Sequence, residues 1–212
     1  MVGGELLRHK KNQLYLVADM ETEGLNLFYT RPFQLAFVLG EGDTVKEKFN
    51  QYIRWPDINV SEGAARATNF NLQKYNAEAK DPSEILETLE KYLYNDKYVL
   101  AAHNWLGYDA YIHNTWRRLL GKKTNYSYLN KLIDTNCLAK AIKLGVKLKE
   151  GEDKLLFQYR LFHHKQKGLK SSLSTCCKDY GIPYDEELLH DALYDIELNY
   201  LIWNKQKWLV EI

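Results

Sequence analysis

The chain has 212 residues, of which 45% are hydrophobic and 27% charged, and its 29 basic and 28 acidic side chains leave a formal net charge of +1. This length predicts one domain rather than two, and the composition excludes collagen-like, disordered and coiled-coil proteins. The near-neutral balance excludes a protein that coats DNA through overall basic charge. It allows a local basic groove beside an acidic site.

The first third of the chain predicts three consecutive strands. An apolar run that ends in an acid covers 14–19, and two segments rich in β-forming residues follow at 32–39 and 45–54. Glycines separate the second segment from the third, which is typical of a hairpin. We therefore expect the last two strands to pair directly.

The rest of the chain predicts helices alternating with short strands. Helices are expected over 61–67, from about 81 onwards, over 108–120, 136–145, 169–181 and 188–209, and strands over 98–104 and 131–135. The polar, charge-rich stretch at 146–168 follows neither pattern and is predicted to be an irregular basic insertion. The order of elements predicts an α/β domain with a mixed sheet, in which three antiparallel strands are followed by parallel ones.

Cysteine use and hydropathy bear on location. The chain has three cysteines, and Cys176 and Cys177 are adjacent. They do not make a disulfide framework and indicate a reducing compartment. The N-terminal residues lack the apolar region of a secretory signal, and no run approaches the ~18 apolar residues of a membrane span. We expect a cytoplasmic protein without membrane association, with one domain over 1–212 that begins with a basic tail over 1–12.

Two carboxylates end the first predicted strand. Asp19 and Glu21 are two residues apart, so their side chains face the same side of that strand. Two such anions ~4 Å apart repel by about 4 kcal/mol at an effective dielectric constant of about 20. Such a pair usually needs a cation, although a solvated strand end is the simpler interpretation.

Two further motifs contain acids. Asn104 ends a buried strand, and Asp109 opens the next helix, where an acid ordinarily complements the helix dipole. His190 and Asp195 are predicted to lie on the last helix, ~140° apart around its axis, so they can flank one site without touching. Each motif alone is typical of an ordinary helix or strand end. Together, in this order, they indicate one site.

The combination resembles the three exonuclease motifs of the DEDDh 3′–5′ exonuclease family. The motifs are Asp-x-Glu-Thr at 19–22, Asn-x3-Tyr-Asp at 104–109 and His-x4-Asp at 190–195, and the similarity spans roughly 13–205. The family includes the proofreading subunit of bacterial DNA polymerase III, RNase T and the exonuclease domains of polymerases. The resemblance implies a ribonuclease H-like, mixed five-stranded sheet flanked by helices.

The resemblance also implies a metal-dependent reaction. Four carboxylates would bind two Mg²⁺ ions, or Mn²⁺ in their place, and they are those of Asp19, Glu21, Asp109 and Asp195. Oxygen ligands without thiolates suit such hard cations. His190 would be the general base, because an imidazole can take a proton near neutral pH. The implied reaction hydrolyses phosphodiester bonds from the 3′ end of single-stranded nucleic acid, with DNA as the expected substrate, and releases nucleoside 5′-monophosphates.

Substrate contacts are expected close to the acids. The candidate substrate-binding residues are Met20, Thr22, Glu23, Gly24, Phe70, Asn104 and Trp105. The backbone from Thr22 to Gly24 is expected to cradle the 3′-terminal nucleotide, because a glycine just past the acids permits close approach. Phe70 and Trp105 are candidate stacking surfaces for splayed bases, and core packing is the alternative for both.

The chain departs from the polymerase III proofreading subunits at two places. Thr68-Asn69 stands where those subunits usually carry His-Gly, and Asn104 precedes Asp109 by five residues, as in polymerase-embedded exonucleases, rather than by four. Both departures concern the substrate, and a DNA polymerase is a candidate partner. Two alternatives stay open: an exoribonuclease of the same fold that trims RNA 3′ ends, because the motifs do not sense the 2′-OH, and a non-catalytic, polymerase-associated nucleic-acid-binding module.

Basic residues are concentrated in one segment. Residues 143–170 contain eight lysines and arginines against three acids, a net +5, so the rest of the chain carries −4. This asymmetry beside an acidic site indicates a surface that tracks phosphates, with Tyr159 and Phe162 as candidate stacking groups. A solvated insertion, kept soluble by its lysines, is the alternative.

Overall fold

A computed structural model describes residues 6–212, and within them five strands form one mixed sheet. The strands are β1 (Leu14–Thr22), β2 (Pro32–Glu41), β3 (Thr44–Tyr52), β4 (Tyr98–Ala102) and β5 (Leu132–Asp134). Their order across the sheet is β3-β2-β1-β4-β5. The first three strands pair antiparallel, whereas β4 runs parallel to β1, and β5 runs parallel to β4. The predicted fold class is confirmed.

Helices flank this sheet. They are α1 (Glu62–Ala67), α2 (Leu72–Glu78), α3 (Pro82–Leu93), α4 (Asp109–Leu119), α5 (Thr135–Leu144), α6 (Lys154–His163), α7 (Leu173–Tyr180) and α8 (Ala192–Leu209). Several of their ends follow the predicted chemistry. The Asp81 carboxylate caps α3 ahead of its proline, and Gly145 and Gly181 end α5 and α7 in the left-handed conformation.

The last helix packs along β1 and β2, and this contact sets the position of one part of the site. The ring of Trp203 meets that of Tyr15 edge-on, with 5.8 Å between their centroids. A side chain at Gly40 on β2 would overlap the ring of Tyr200, so only glycine lets α8 lie this close. Because the helix is held against the sheet at these points, Asp195 in its first turn is fixed relative to β1.

The segment predicted as an irregular insertion over 146–168 contains a helix, which corrects that prediction. The Asp153 carboxylate accepts the N–H of Leu156 at 2.9 Å and caps α6. Phe157 and Leu161, one turn apart, are buried in the main core, and so is the polar Gln158 between them. The charged residues around this apolar pair obscure its helical spacing in the sequence.

Helix α2 was not predicted from the sequence.

The beginning of the chain contacts its end. Residues 1–5 of the predicted basic tail lie outside the described residues. Beyond them, the backbone N–H of Leu7 donates to the carbonyl of Ile212 at 3.4 Å, and Arg8 pairs with Glu211 at 3.6 Å. None of the helices between residues 6 and 212 combines the length and apolar character that a bilayer crossing requires.

Candidate active site

The site begins where two parallel strands separate. On β1, residues 14–17 pair with β4, which ends at Ala102. Beyond this point β1 continues to Thr22 with only β2 beside it, so its other edge is open. Asp19 and Glu21 lie on this open stretch. The carboxyl ends of parallel strands are where α/β sheets ordinarily form their ligand sites.

A short loop between β4 and α4 supplies the next acid. The Asp134 carboxylate accepts the backbone N–H of Asn104 at 3.1 Å and that of Leu106 at 3.0 Å, which holds the loop in a tight turn. Asn104 takes a positive φ of 65° inside this turn. The turn delivers Asp109 to the first position of α4, 4% exposed, and one of its carboxylate oxygens, Oδ1, has no hydrogen-bond partner among the described residues.

The third motif is built differently from the prediction. His190 precedes α8 rather than lying on it, because Asp191 caps the helix by accepting the N–H of Tyr194 at 2.9 Å. His190 has φ 70°, a sparsely populated conformation for a residue with a side chain. Its backbone N–H donates to Oδ2 of Asp195 at 3.2 Å. A turn, and not a helical face, therefore brings His190 and Asp195 to the same place.

One cleft of about 630 Å³ collects these groups. All five predicted catalytic residues line it, and they are Asp19, Glu21, Asp109, His190 and Asp195. Four predicted substrate-binding residues line it as well, and they are Met20, Thr22, Gly24 and Asn104. The structure thus brings together side chains from β1, the start of α4 and the start of α8.

The carboxylates in the cleft disfavour one another's charge. Burial raises the pKa of Asp19 to about 6, and His190 opposes the rise. Burial and the neighbouring charges of Asp19 and Asp195 raise the pKa of Glu21 to about 9. Burial and Asp19 raise that of Asp195 to about 7, and burial and Asp19 raise that of Asp109 well above its usual value. Four carboxyl groups, of which that of Asp109 is buried and the other three are half-buried, therefore share one space.

This donor set fits hard divalent cations. The groups are oxygen ligands, and no lysine or arginine is among the described residues that line the cleft. Oδ1 of Asp109 and Oδ1 of Asp195 are buried and have no hydrogen-bond partner in the described chain. Between residues 6 and 212 no three His, Cys, Asp or Glu side chains form a complete metal-binding group as they stand.

Tyr108 is a residue of the site that sequence reasoning missed. Its hydroxyl lies 2.6 Å from the hydroxyl of Thr22 and within hydrogen-bond distance of the Gly24 carbonyl, which the Thr22 hydroxyl also reaches at 2.9 Å. These contacts tie the loop after β1 to the start of α4. The signal was the tyrosine directly before Asp109 in the second motif.

His103 was also missed, and it lies beneath the acids. Its Nδ1 is 2.9 Å from the hydroxyl of Thr135, which donates to Oδ1 of Asn199 at 2.6 Å. Burial lowers the pKa of His103 to about 4, so the imidazole is neutral at physiological pH. Three elements therefore meet under the cleft through neutral hydrogen bonds.

Three predicted substrate-binding residues are not among the described residues that line the cleft. Trp105 is 0% exposed because the turn points it into the core, where its ring meets Tyr128. Phe70 packs edge-on against Phe33, at 4.9 Å between centroids, away from the cleft. The Glu23 carboxylate is bound by Arg31, with Nε 2.7 Å from Oε2. The full burial of Trp105 leaves no surface for a stacked base, whereas Phe70 is half-buried and the backbone of Glu23 stays a predicted contact.

Comparison with known families and curated proteins places these features in context. A family model, RNase_T, described as exonuclease, matches residues 16–203. A DNA polymerase III PolC-type from Oceanobacillus iheyensis is 25% identical over 205 residues, which are 96% of this chain and 12% of that protein. The corresponding Ureaplasma parvum polymerase is 25% identical over 185 residues, 87% of this chain and 11% of that protein. The chain spans about an eighth of these relatives.

Solved structures show the same fold. The crystal structure of E. coli exonuclease I with a dT13 oligonucleotide superposes with a TM-score of 0.72 at 19% identity, over 93% of this chain and 41% of that one. The zinc-bound form of its complex with single-stranded DNA gives 0.70 at 17% identity, over 91% and 40%. The chain spans about two fifths of these neighbours, and the likeness confirms the ribonuclease H-like exonuclease fold.

Proposed function

Because this chain belongs to the exonuclease family whose model spans residues 16–203, we propose that it is a metal-dependent 3′–5′ exonuclease. It removes nucleoside 5′-monophosphates from the 3′ ends of single-stranded DNA. The observation that carries the proposal is the cleft that gathers Asp19, Glu21, Asp109, His190 and Asp195 from three separate elements. The oligonucleotides bound by exonuclease I support single-stranded DNA as the substrate.

The four carboxylates are the proposed ligands of two Mg²⁺ ions, with Mn²⁺ as a substitute. When bound, such ions stabilise charge on the attacking and leaving oxygens of a displacement at phosphorus. The carboxyl groups are brought into one cleft, where neighbouring acids disfavour one another's charge. A bound cation would relieve this repulsion.

His190 is the proposed general base. Its backbone is fixed by the N–H that donates to Asp195, while its side chain lines the cleft. An imidazole at this place can take the proton of the attacking water and release it to solvent. A lysine or arginine with its usual pKa stays protonated near neutral pH and cannot accept that proton.

The loop after β1 is the proposed seat of the 3′-terminal nucleotide. Thr22 and Tyr108 hold the carbonyl of Gly24 by hydrogen bonds, so the backbone of the loop is fixed before substrate arrives. Thr68, which stands where related proofreading subunits carry histidine, also lines the cleft. Its hydroxyl donates to the carbonyl of Ala64 within α1. The loop therefore contributes a preformed surface.

Location is inferred from the cysteines, and a partner from the similarity to curated polymerases. We propose a cytoplasmic protein, because Cys137, Cys176 and Cys177 are free and buried. The similarity to polymerase III supports a DNA polymerase as the candidate partner. Co-purification of this chain with a polymerase from the source cell tests that partner. The association should be lost when exposed residues away from the cleft are substituted.

One assay tests the activity. A 5′-labelled single-stranded DNA, a duplex with a mismatched 3′ end and a single-stranded RNA are each incubated with Mg²⁺, Mn²⁺ or EDTA. We expect stepwise shortening from the 3′ end with either metal, monophosphate products and no reaction in EDTA. The Asp19→Ala variant is the control and should be inactive while folded. Full activity in EDTA, or turnover by Asp19→Ala, contradicts the proposal, and faster hydrolysis of RNA favours the exoribonuclease alternative.

A further inference from the structure

Helix α6 is locked to the sheet by a buried amide. Nε2 of Gln158 donates to the carbonyl of Leu132 at 3.0 Å, and Oε1 of Gln158 accepts the N–H of Asp134 at 2.6 Å. The side chain continues the ladder of the edge strand β5, where an unpaired N–H would be costly. The segment that carries the excess basic charge is therefore anchored to the fold.

The end of α6 meets the loop that carries the second motif. A Cβ on Gly107 would lie 2.7 Å from the Phe162 ring and 2.6 Å from Oδ1 of Asn104, so only glycine admits this approach. Nζ of Lys140 donates to the carbonyls of Leu161 and Phe162, at 3.2 and 3.1 Å, and closes the helix end. Phe162 is half-buried and packs beside Gly107, and its role as a stacking group stays a prediction.

The chain that leaves α6 borders a second groove. It has a volume of about 620 Å³, and its basic lining residues are Lys140, His164, Lys165 and Lys167. Lys165 and Lys167 are exposed, and no described residue forms an ion pair with either. No acid is among the described residues that line this groove. Its potential is opposite in sign to that of the acidic cleft.

Asn104 joins the two spaces, because it lines both the acidic cleft and the basic groove. A single strand whose 3′ end enters the cleft must leave past its rim. The groove has lysines and no acid, whereas the cleft has no lysine or arginine, so the favourable path for the upstream phosphates is over Asn104 into the groove.

We propose that this groove binds the sugar–phosphate backbone of the substrate strand upstream of its 3′-terminal nucleotide. Lys165 and Lys167 contact phosphates, and Asn104 marks the passage from one space to the other. The inference rests on the proposed function for the location of the 3′ end. The shared chemistry is a chain of phosphodiesters, which both DNA and RNA single strands supply.

Equilibrium binding tests the proposal without hydrolysis. The Lys165→Glu/Lys167→Glu variant of the 212-residue chain is titrated in EDTA against fluorescein-labelled dT20 and rU20, from ~50 to ~300 mM KCl. The matched control is Lys91→Glu/Lys205→Glu, because both lysines are exposed, one in the last turn of α3 and one far along α8, and neither forms an ion pair with a described residue. Both variants change the net charge by the same amount.

We expect dT20 affinity to fall about tenfold at the lowest salt in the groove variant, and the salt slope to drop by ~1.4, which is ~0.7 for each of the two phosphates that the lysines no longer neutralise. The control should keep the slope of the unmodified protein. Equal slopes and affinities in the two variants overturn the proposal. A similar loss of affinity for rU20 shows backbone recognition without a preference for either sugar.

The outcome is separable from that of the proposed function. If dT20 binding depends on Lys165 and Lys167 but the protein does not shorten DNA, the groove proposal holds and the proposed exonuclease function is contradicted. If the protein degrades DNA with Mg²⁺ and the double variant binds dT20 equally well, the proposed function holds, and the segment around Lys165 and Lys167 is a solvated surface.

Discussion

Two buried aspartates that border the same loop have opposite surroundings. Asp134, at the end of β5, is fully buried, and its carboxylate accepts four backbone N–H groups, from Asn104, Leu106, Asn136 and Cys137. Asp109 is almost as buried, yet its Oδ1 has no partner among the described residues. Burial raises the pKa of both, but the N–H groups oppose the rise at Asp134, whereas Asp19 and Glu21 add to it at Asp109.

The difference separates an acid that supports the fold from one that is held ready for a ligand. A buried carboxylate with its hydrogen bonds made stabilises the turn it organises. One that is crowded by like charges destabilises the metal-free protein and is relieved by a cation. Asp134 shapes the loop that presents Asp109, so the position of the second acid depends on the first.

The largest expected effect is the loss of activity when Asp109 is replaced. Asp109→Asn keeps the shape of the side chain and removes its charge, so we expect kcat/KM to fall by about 10³ or more. The raised pKa of Asp109 means that folding must protonate this carboxyl near neutral pH, a cost that Asn does not carry, so the Tm of the metal-free protein should rise. Turnover assays with Mg²⁺ and thermal unfolding in EDTA measure the two effects. An active variant would return Asp109 to an ordinary helix end.

Replacing His190, the proposed base, should slow the reaction without weakening metal binding. His190→Ala is expected to lower kcat by about 10²–10⁴, because proton transfer from the attacking water is lost. Calorimetric titration with Mg²⁺ should show binding close to that of the unmodified protein. If the binding isotherm disappears instead, His190 is a ligand rather than a base.

Replacing Asp134 by asparagine should lower the stability of the protein, whereas the same replacement at Asp109 should raise it. Asp134→Asn places an amide NH₂ against backbone N–H groups that now lack an acceptor, at about 2–3 kcal/mol. For a chain of this length that corresponds to a fall in Tm of roughly 5–10 °C. Asp109→Asn is the matched control in EDTA. Equal shifts in the two variants would remove the distinction between the two acids.

The pH dependence of stability reports the crowded acids collectively. The folded protein holds protons on Asp19 to a pKa of about 6 and on Asp195 to about 7, above the 3.8 usual for aspartate. Stability from these groups is therefore complete below about pH 4 and is lost as the pH rises through 6–7. In buffer with EDTA, Tm should fall between about pH 4 and pH 7, and in separate samples with saturating Mg²⁺ the fall should be smaller. A Tm that does not change with pH in EDTA contradicts the raised pKa values of these acids.

The acids could be predicted from the sequence because their positions depend on local rules. Asp19 and Glu21 share a strand face by alternation, and Asp109 follows a buried strand. The position of His190 could not be derived in this way, because it depends on Asp191 capping the last helix later than its apolar spacing suggests. The burial of Trp105 depends on a turn that Asp134 builds from another strand.

Helix α6 shows a different limit. Its buried face contains Gln158, a polar residue whose partners lie on β5, so hydrophobic spacing alone could not reveal it. Its basic neighbours suggested a solvated loop. Long-range hydrogen bonds decide both the structure of this segment and its contact with the second motif.

The smallest expected effect concerns how the nucleotide seat is held. Tyr108→Phe removes the hydroxyl that contacts Thr22 and Gly24 while keeping the ring, so the loop after β1 loses about one hydrogen bond, worth ~1 kcal/mol. Because Tyr108 positions the loop rather than the reacting atoms, we expect KM to rise about fivefold and kcat to change less. Steady-state kinetics on a short single strand measure the split. The matched control is Tyr111→Phe, three residues along α4, whose exposed hydroxyl makes no hydrogen bond with the described residues. A fall in kcat with unchanged KM would move Tyr108 from the support of the loop to the reaction itself.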